Sequence, residues 1–450
     1  MHPYAILNSD TEIKPHYNSA VEMAGLAISF TGLLCTFVIA FFGLIGGPWI
    51  SLLLSAGLIS GGALLYIFGQ ARGMKPGIHN DGITFSAMQF RGWTGWITAI
   101  LFTGFYIIIY WFGDWLHNLV AMVEPMSQAI RNAPADHWFL YGLLYTLAIL
   151  VMGVKFMYKY QHSRYHLIRT ATLMFFQLGF AFLLPAILMF FKEPEFYFSY
   201  FWPLQFNYLF PNDVHSLVSD PGALGTFMVF WGAVMSFIAT PVLTYFYGKR
   251  WYCSWVCGCG GLAETFGDPY RHLSDKRLIA WKFERWIVYG VLAIITFTTM
   301  LLWASLTLEI GWLSSISGDL AEWYGFYIGA IFAGVIGVGF YPLMGSRVWC
   351  RFGCPMAAIL GIIQRFYSRF RITTNGGQCI SCGNCSAFCE MGIDVRWYAQ
   401  RQQNIVRASC VGCGICASVC PRGVLKLENG PSDINRAAIQ VRKNGIEVAE

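Results

Sequence analysis

Eight long apolar stretches leave this 450-residue chain few ways to fold. A helix needs about 20 predominantly apolar residues to cross about 30 Å of hydrocarbon, and inside lipid every backbone polar group must find a partner within the protein. The sequence therefore predicts a mainly α, polytopic membrane protein of about eight helices. The predicted spans are residues 20–46, 49–70, 93–112, 138–157, 167–191, 223–247, 286–311 and 325–345.

The composition agrees with a chain that lies mostly in lipid. Hydrophobic residues make up 56% of it and charged residues only 12%, whereas soluble domains average about 45–50% and about 25%. So little charge excludes a disordered chain and a DNA-binding module, and it disfavours a soluble enzyme. The first apolar stretch follows a polar segment without a basic region or a small-residue cleavage site, which indicates a retained helix and not a signal peptide.

The distribution of Lys and Arg predicts the orientation in the membrane. Alternate loops, beginning with the one that holds Lys75 and Arg91, are rich in basic residues, and so is the segment after the eighth span. The loops on the other side hold only Arg131 and Lys192 as basic residues, beside several acids. Because basic loops stay on the cytoplasmic side, we expect a bacterial inner-membrane protein with both termini inside. The basic residues then face lipid headgroups, and no nucleic-acid patch is indicated.

Eight of the 14 cysteines form two matching runs near the C-terminus. Each run is Cys-x2-Cys-x2-Cys-x3-Cys, the spacing of bacterial two-cluster ferredoxins, in which the fourth cysteine binds the other cluster. The spacing predicts two [4Fe-4S] clusters in a small α+β ferredoxin domain, with its cysteines on the cytoplasmic side. The predicted ligands of one cluster are Cys379, Cys382, Cys385 and Cys420, and those of the other are Cys410, Cys413, Cys416 and Cys389.

Two other uses of these cysteines fit the pattern less well. Structural zinc takes four ligands, usually from Cys-x2-Cys pairs, which leaves an evenly spaced triplet plus a fourth cysteine unexplained. Disulfides are disfavoured because the segment is predicted to lie on the reducing side of the membrane. One position departs from the ferredoxin pattern, since Glu390 and not proline follows Cys389.

Four more cysteines form two similar motifs at predicted inner helix ends. Each motif has a basic residue, an aromatic residue and a Cys-x3-Cys pair. The pairs are Cys253 with Cys257 and Cys350 with Cys354. If the two helices are neighbours, the four thiols can converge on a third cluster or another metal ion, or act as redox-active thiols. Buried structural cysteine is the alternative. Cys259 is a candidate spare ligand, and Cys35 is expected to serve packing.

With two Cys-x3-Cys motifs ahead of a double ferredoxin segment, the chain resembles the membrane-integral polyferredoxins of the NapH/NosR type. The resemblance covers about residues 223–428. It implies electron transfer between the quinol pool or a flavin partner and a reductase system, as in a quinol dehydrogenase-type oxidoreductase subunit. The chain departs from that family in its additional N-terminal helices, and Gly258 stands where the first motif would have proline.

The residues leave two further functions open. Soft thiolates select Cu(I), so the paired cysteines can instead bind copper that the ferredoxin domain reduces, as the likeness to the related CcoG/FixG group implies. Alternatively, the chain is an electron-wire subunit of a larger respiratory complex, without a substrate site of its own. In each case we expect a redox partner protein.

No haem is expected, because no histidine falls in the middle of a predicted span. The predicted domain order follows from the segments described above. The order is a cytoplasmic segment at 1–19, a five-helix membrane region at 20–220, a second membrane region with the paired cysteines at 221–372, the ferredoxin domain at 373–430 and a tail at 431–450. Membrane lipid and a quinone or quinol are the other expected partners.

The remaining polar and aromatic residues carry weaker predictions. In the aromatic outer loop 192–222, interfacial side chains are the common explanation, and a lid over a quinol site or a dock for a partner is the alternative. Glu309 is a predicted proton acceptor, because a carboxylate near a membrane end is costly unless used or paired. Further outer-side candidates are His117, Glu124, Asp136, His137 and Glu195. Solvated or surface positions are expected for Glu264, Asp268, His272, His162 and His166.

Overall fold

The computed structural model describes residues 20–73, 92–219, 222–430, 440–442 and 445–447. The predicted segment 1–19, the first basic loop with Lys75 and Arg91, and most of the predicted tail 431–450 lie outside the described residues. The described part contains all eight predicted spans and every cysteine.

Eight helices of the described chain are long and apolar enough to cross a membrane. In chain order the helices are α1 (Ala20–Phe42), α2 (Pro48–Ala71), α3 (Trp93–Trp111), α4 (His117–Arg131), α5 (His137–Lys159), α6 (Arg164–Phe190), α7 (Pro211–Ser219), α8 (Leu224–Tyr247), α9 (Leu278–Leu308), α10 (Gly311–Gly339) and α11 (Pro355–Phe366). All but α4, α7 and α11 are spanning candidates. Each of the eight overlaps one predicted span, so the mainly α membrane architecture is confirmed.

Two spans begin earlier than the sequence predicts. Helix α9 starts at Leu278 rather than near 286, and α10 starts at Gly311 rather than near 325. Charged residues lower the hydropathy of these first turns without ending the helix, because Lys, Arg and Glu are good helix formers. The acids Asp319 and Glu322, expected in an outer loop, consequently lie on α10.

The aromatic segment between α6 and α8 returns into the helix bundle, and we call its residues 196–206 the re-entrant segment. Phe201 is fully buried. Trp231 of α8 donates a hydrogen bond to the Phe198 carbonyl (3.1 Å), and Tyr252 donates one to the Ser199 carbonyl (3.0 Å). Irregular backbone is stable among membrane helices only where protein satisfies its polar groups. The interfacial expectation is therefore wrong for this segment, which lies between helices.

The cysteine-rich residues form a small α+β domain. Its strands β1 (Phe370–Thr374) and β2 (Leu425–Asn429) pair antiparallel, with Ile372 opposite Leu427. Strand β1 thus begins three residues ahead of the predicted boundary at 373. Strands β3 (Gln440–Arg442) and β4 (Gly445–Glu447) form a separate hairpin.

Apolar contacts and hydrogen bonds join this domain to one end of the bundle, which we call the cysteine side. Ile415 and Val419 pack on Phe156 at the end of α5. His166 of α6 is 1% exposed and shares a 3.2 Å hydrogen bond with Ser418 Oγ. The surface position expected for His166 is therefore wrong, because hydropathy alone does not show that a second domain covers this end of α6.

Gly248 joins α8 to the first paired-cysteine motif in a conformation that favours glycine. Its φ is 68°, and a Cβ there would lie 2.7 Å from Gln364 Oε1 and 2.7 Å from Phe370 Cβ. We predict that Gly248→Ala lowers the free energy of unfolding by about 2 kcal/mol or more, because backbone strain and close contacts add up. Thermal unfolding of the detergent-solubilised protein measures the loss.

The control for this change is Gly290→Ala on α9, where an added Cβ meets no heavy atom within 4 Å. We expect its melting temperature to stay close to that of the unchanged protein. Equal melting temperatures for the two variants would contradict the conformational role of Gly248.

Candidate functional site

The eight cysteines of the two ferredoxin runs lie in two groups. Four of them line one cavity, and we call them the distal group: Cys379, Cys382, Cys385 and Cys420. This grouping takes three cysteines from the first run and one from the second, as the crossed ligand pattern of two-cluster ferredoxins requires. Cys382 is exposed. The distal group therefore lies at the surface of the domain.

The other four cysteines face the helix bundle, and we call them the proximal group. They are Cys389, Cys410, Cys413 and Cys416, whose thiols influence one another electrostatically. Tyr165 of α6 donates a 2.8 Å hydrogen bond to the Gly412 carbonyl, and Ser254 Oγ donates one of 2.8 Å to the Val411 carbonyl. These bonds hold the backbone of the second run against the membrane helices.

The structure brings the four paired cysteines together in the segments that follow α8 and α10. This quartet is Cys253, Cys257, Cys350 and Cys354, all buried. The Cys354 thiol is influenced by the other three, and it caps the start of α11 by accepting a hydrogen bond from the Ala357 N–H (3.4 Å). Burial raises the pKa of the Cys253 thiol to about 12. Since metals bind the thiolate, loading this site would release protons.

In the structure, no three quartet sulfurs lie as close together as they would around one tetrahedral metal ion. A tetrahedral ion with metal–sulfur bonds of about 2.3 Å holds its sulfurs about 3.8 Å apart. Within the described chain, the group of three or more ligand atoms that lie within 4.8 Å of one another is Glu264, Glu390 and Cys413. No three thiols of the quartet are therefore that close. A cubane spreads its ligands farther, because each thiolate binds a different iron, and it suits this spacing better than four-coordinate zinc.

A fully buried ion network lies between the quartet and the proximal group. Arg271 pairs with Glu390 (2.8 Å), and Arg347 pairs with Glu264 (2.8 Å) and with Glu390 (3.1 Å). All four side chains are 0% exposed. Burial opposes ionisation of Glu390, but the charges of Arg271 and Arg347 outweigh it and lower its pKa to about 2. The Glu390 carboxylate therefore carries its negative charge at neutral pH.

Each end of this network reaches a cysteine. Arg347 Nη1 lies 3.8 Å from Cys350 Sγ of the quartet, and Arg271 Nη1 lies 4.0 Å from Cys413 Sγ of the proximal group. Because Glu390 contacts both arginines, a continuous line of side chains joins the two cysteine sites. Burial raises the pKa of the Cys350 and Cys413 thiols, and the neighbouring guanidinium groups oppose that rise.

The departure from the ferredoxin pattern at Glu390 now has a physical reason. Proline at this position would supply no carboxylate to pair with Arg271 and Arg347, and therefore no negative charge. The Glu390 carbonyl also accepts a 2.6 Å hydrogen bond from Ser274 Oγ. Glu390 thus fastens the cysteine-rich domain to the helix bundle.

The expectation that Glu264 and Asp268 are solvated is wrong. Glu264 is 0% exposed and accepts a hydrogen bond from Arg169 of α6. Asp268 is 7% exposed and pairs with Lys159 of α5 at 2.6 Å. Sequence reasoning missed them because their partners lie on distant helices. One signal of the ion network was present in the sequence, because the acidic residue Glu390 stands where the ferredoxin pattern has proline.

The carboxylates beside Cys413 do not form a cation site. Glu264 and Glu390 already pair with Arg271 and Arg347. A metal cation there would meet both guanidinium groups at close range. The trio is therefore part of the ion network.

The first paired-cysteine motif has little room at Gly258, where the expected pattern has proline. A Cβ there would overlap Tyr200 Oη and lie 2.6 Å from Gln177 Oε1, so the ends of both side chains would have to move. The next residue, Cys259, lies beside Cys257 of the quartet and raises the pKa of its thiol.

The predicted outer-side proton acceptors have different positions. Glu309 is exposed at the end of α9, with a φ of 52°. Its role as a proton acceptor stays a prediction. Asp136 and Glu195, in contrast, line a cavity that reaches Cys259.

Comparison with known protein families supports the iron–sulfur assignment. A 4Fe-4S dicluster domain model matches residues 373–427, which hold both ferredoxin runs. A 4Fe-4S binding domain model matches residues 229–279 and 326–373, which hold the quartet. The chain therefore has a C-terminal 4Fe-4S ferredoxin domain below eight apolar helices, as the fold prediction states.

Two curated proteins resemble parts of this chain. The putative electron transport protein YccM of Escherichia coli K12 is 26% identical over 152 residues, which are 31% of this chain and 41% of YccM. The methylamine utilization ferredoxin-type protein MauN of Methylobacillus flagellatus is 28% identical over 169 residues, which are 35% of this chain and 55% of MauN. The chain thus spans about half the length of these relatives. No solved structure matches it significantly.

Removing one partner from a buried ion pair leaves an uncompensated charge, which destabilises proteins by about 3–5 kcal/mol. We predict a loss of this size in the free energy of unfolding for Glu390→Gln, because Arg271 and Arg347 both lose one of their carboxylate partners and the buried network is left with excess positive charge. Thermal unfolding of the iron-loaded protein measures it.

A surface ion pair provides the matched control. Asp275→Asn removes the partner of Arg277, whose side chain is 78% exposed, and such pairs contribute about 0–1 kcal/mol. We expect a melting temperature near that of the unchanged protein. A Glu390→Gln variant as stable as Asp275→Asn would show that the buried network does not hold the domain.

Proposed function

We propose that this protein is a membrane-bound electron-transfer protein. It passes electrons between the quinone pool, or a membrane flavoprotein, and a redox partner through two [4Fe-4S] clusters, with a third metal centre at the quartet. The observation that carries the proposal is the line of cysteine sites from the exposed distal group, through the buried proximal group and the ion network, to the quartet.

The distal group is the site at which a soluble partner would donate or accept electrons. Its cysteines surround a cavity at the domain surface, and Cys382 is exposed. A partner can approach a cluster there without displacing the helix bundle. The proximal group is covered by α5 and α6 and can exchange electrons only with its neighbours.

Three features support a [4Fe-4S] cluster at the quartet. The four thiols are buried together, no three of them lie as close together as around one tetrahedral ion, and a 4Fe-4S binding domain model matches the two segments that carry them. The match of the quartet's two segments to a 4Fe-4S binding domain model favours a cluster over the copper-reducing alternative.

The membrane side of the proposal follows from the resemblance to NapH/NosR-type polyferredoxins and from the eight apolar helices. The excess of Lys and Arg in the loops on the cysteine side supports an inner-membrane orientation with the ferredoxin domain in the cytoplasm. A quinol dehydrogenase-type subunit within a larger complex is the specific form of this proposal. The name of YccM, an electron transport protein, agrees with it.

Iron content tests the number of clusters. We predict about twelve irons for each chain after anaerobic purification, because three cubanes hold four irons each. Cys350→Ser should lower this to about eight, since it removes one quartet ligand and leaves both ferredoxin groups intact. Iron and sulfide analysis measures both proteins.

Cys35→Ser, in the half-buried middle of α1, is the control and should keep about twelve irons. About eight irons in the unchanged protein would limit the clusters to the ferredoxin domain. Stoichiometric copper on the quartet would instead support the copper-reducing function.

The two ferredoxin clusters can be distinguished by their magnetic coupling. Cys420→Ser should remove the distal cluster, lower the iron content by about four and abolish the spin coupling between the reduced distal and proximal clusters in EPR spectra. Cys350→Ser should keep that coupling. A Cys420→Ser protein that keeps both the coupling and the full iron content would show that Cys420 is not a cluster ligand.

A further inference from the structure

A cavity of about 460 Å³ lies between α5, α6 and the re-entrant segment. Its wall is largely aromatic and includes Tyr141, Tyr145 and Phe182. Small-molecule sites typically have volumes of about 300–1,000 Å³ and similar apolar walls with a few polar groups. The elements that form the wall lie outside the regions matched by the two family models.

The deep end of the cavity reaches the quartet. Cys259 and Tyr200 line this end, and Cys259 lies two residues along the chain from Cys257 of the quartet, whose thiol it influences. A molecule in the cavity would be separated from the quartet by one side chain. This closeness is what an electron donor to the quartet needs.

Gln177 provides an unused hydrogen-bond acceptor at the same end. Its side chain is buried, and its Nε2 donates a 3.1 Å hydrogen bond to Thr146 Oγ1. Its Oε1 has no hydrogen-bond partner among the described residues. A buried acceptor without a donor costs about 1–3 kcal/mol, so a bound hydroxyl would satisfy it. Gln177 also lies in a π-helical stretch of α6, Phe176–Leu183, and such turns are frequent at functional sites.

Charged residues line the other end of the cavity, away from the cysteine side. Arg131 is 8% exposed, pairs with Asp136 at 3.3 Å and has an Nε without a partner among the described residues. The Asp136 side chain is 46% exposed, and Glu195 is exposed. These two carboxylates connect the cavity to water on the side opposite to the ferredoxin domain.

The aromatic wall, the acceptor Gln177 Oε1 and the two carboxylates together select one class of ligand. A flat apolar ring fits the aromatic wall, and a ring hydroxyl can donate to Gln177 Oε1. Trp138 lines the cavity and is 45% exposed on the bundle surface, which leaves a lipid-facing side for an apolar tail. A nucleotide cofactor would need free cationic groups for its phosphates, whereas Arg131 is already paired with Asp136.

We propose that this cavity binds a quinol and that oxidation of the quinol there separates charge across the membrane. The inference rests on the proposed function, because it needs the clusters as electron acceptors. The quinol breaks its two O–H bonds, loses two electrons and two protons and becomes a quinone. Each electron reduces one [4Fe-4S] cluster by way of the quartet. The protons pass to Asp136 and Glu195 and then to water on the side opposite to the ferredoxin domain.

Blocking the cavity tests its occupant. The full-length protein is reconstituted in vesicles under anaerobic conditions, and duroquinol is added while the bleaching of cluster absorbance is followed. Ala181→Trp fills the cavity from α6 and should slow the reduction at least about tenfold. Ile187→Trp, on the same helix at a side chain that is 43% exposed, should leave the rate unchanged. Dithionite should reduce the clusters of both variants equally.

A second experiment tests the hydrogen-bond acceptor at the deep end, Gln177 Oε1. Gln177→Met removes Oε1 and should raise the KM for duroquinol about tenfold, since one hydrogen bond to the ring is lost. Thr146→Val removes only the partner of Nε2 and should raise the KM less. Equal effects of the two changes would exclude Oε1 as the anchor.

A pH-sensitive dye trapped in the vesicles tests the charge separation. In vesicles whose ferredoxin domains face outward, we expect as many protons inside as electrons transferred, and release to the outside would overturn that part of the inference. Duroquinol reduction that is equal in Ala181→Trp and Ile187→Trp would overturn the cavity assignment and leave the proposed function standing. Clusters that dithionite reduces and duroquinol does not would exclude quinol as the donor, whereas a protein without clusters would refute the proposed function itself.

Discussion

The buried ion pairs of Arg271 and Arg347 with Glu264 and Glu390 are the interaction on which the rest of the structure depends. They lie where the ferredoxin domain meets the helix bundle, and separating the two parts would leave charges unpaired in an apolar setting. Such pairs add little net stability compared with a well-packed apolar contact. Their use here is to hold two cysteine sites at a fixed distance. They also place positive charge beside thiolates whose clusters would carry negative charge.

The re-entrant segment reaches the quartet from the opposite half of the bundle. It carries residues from the far side of the membrane down to Tyr252 and Gly258, beside the quartet. The route from that side to the quartet is therefore a cavity and one side chain, not the full length of a helix. Proteins tolerate irregular backbone at this depth only when it lines a cavity or is buried in protein, and both conditions hold here.

The cavity lies at the edge of the matched part of the chain. The family models match the ferredoxin domain and the segments that carry the quartet, whereas α1 to α7 lie outside those matches. The cavity is formed mainly by helices outside the matches, but it ends at Cys259, which lies inside one of them.

The sequence by itself determined the eight spans, the ferredoxin cysteines and the paired motifs, because apolar length and cysteine spacing are local signals. It also marked Glu390 as unusual without giving the reason. The pairing of Glu264 and Asp268 with Arg169, Arg347 and Lys159, the burial of His166 and the path of the re-entrant segment were decided only by the tertiary structure. The ion pairs join residues 83 to 109 positions apart, and His166 lies 252 positions from Ser418. Neither hydropathy nor periodicity carries information about which distant charges meet, since each partner alone has the pattern of a solvated residue.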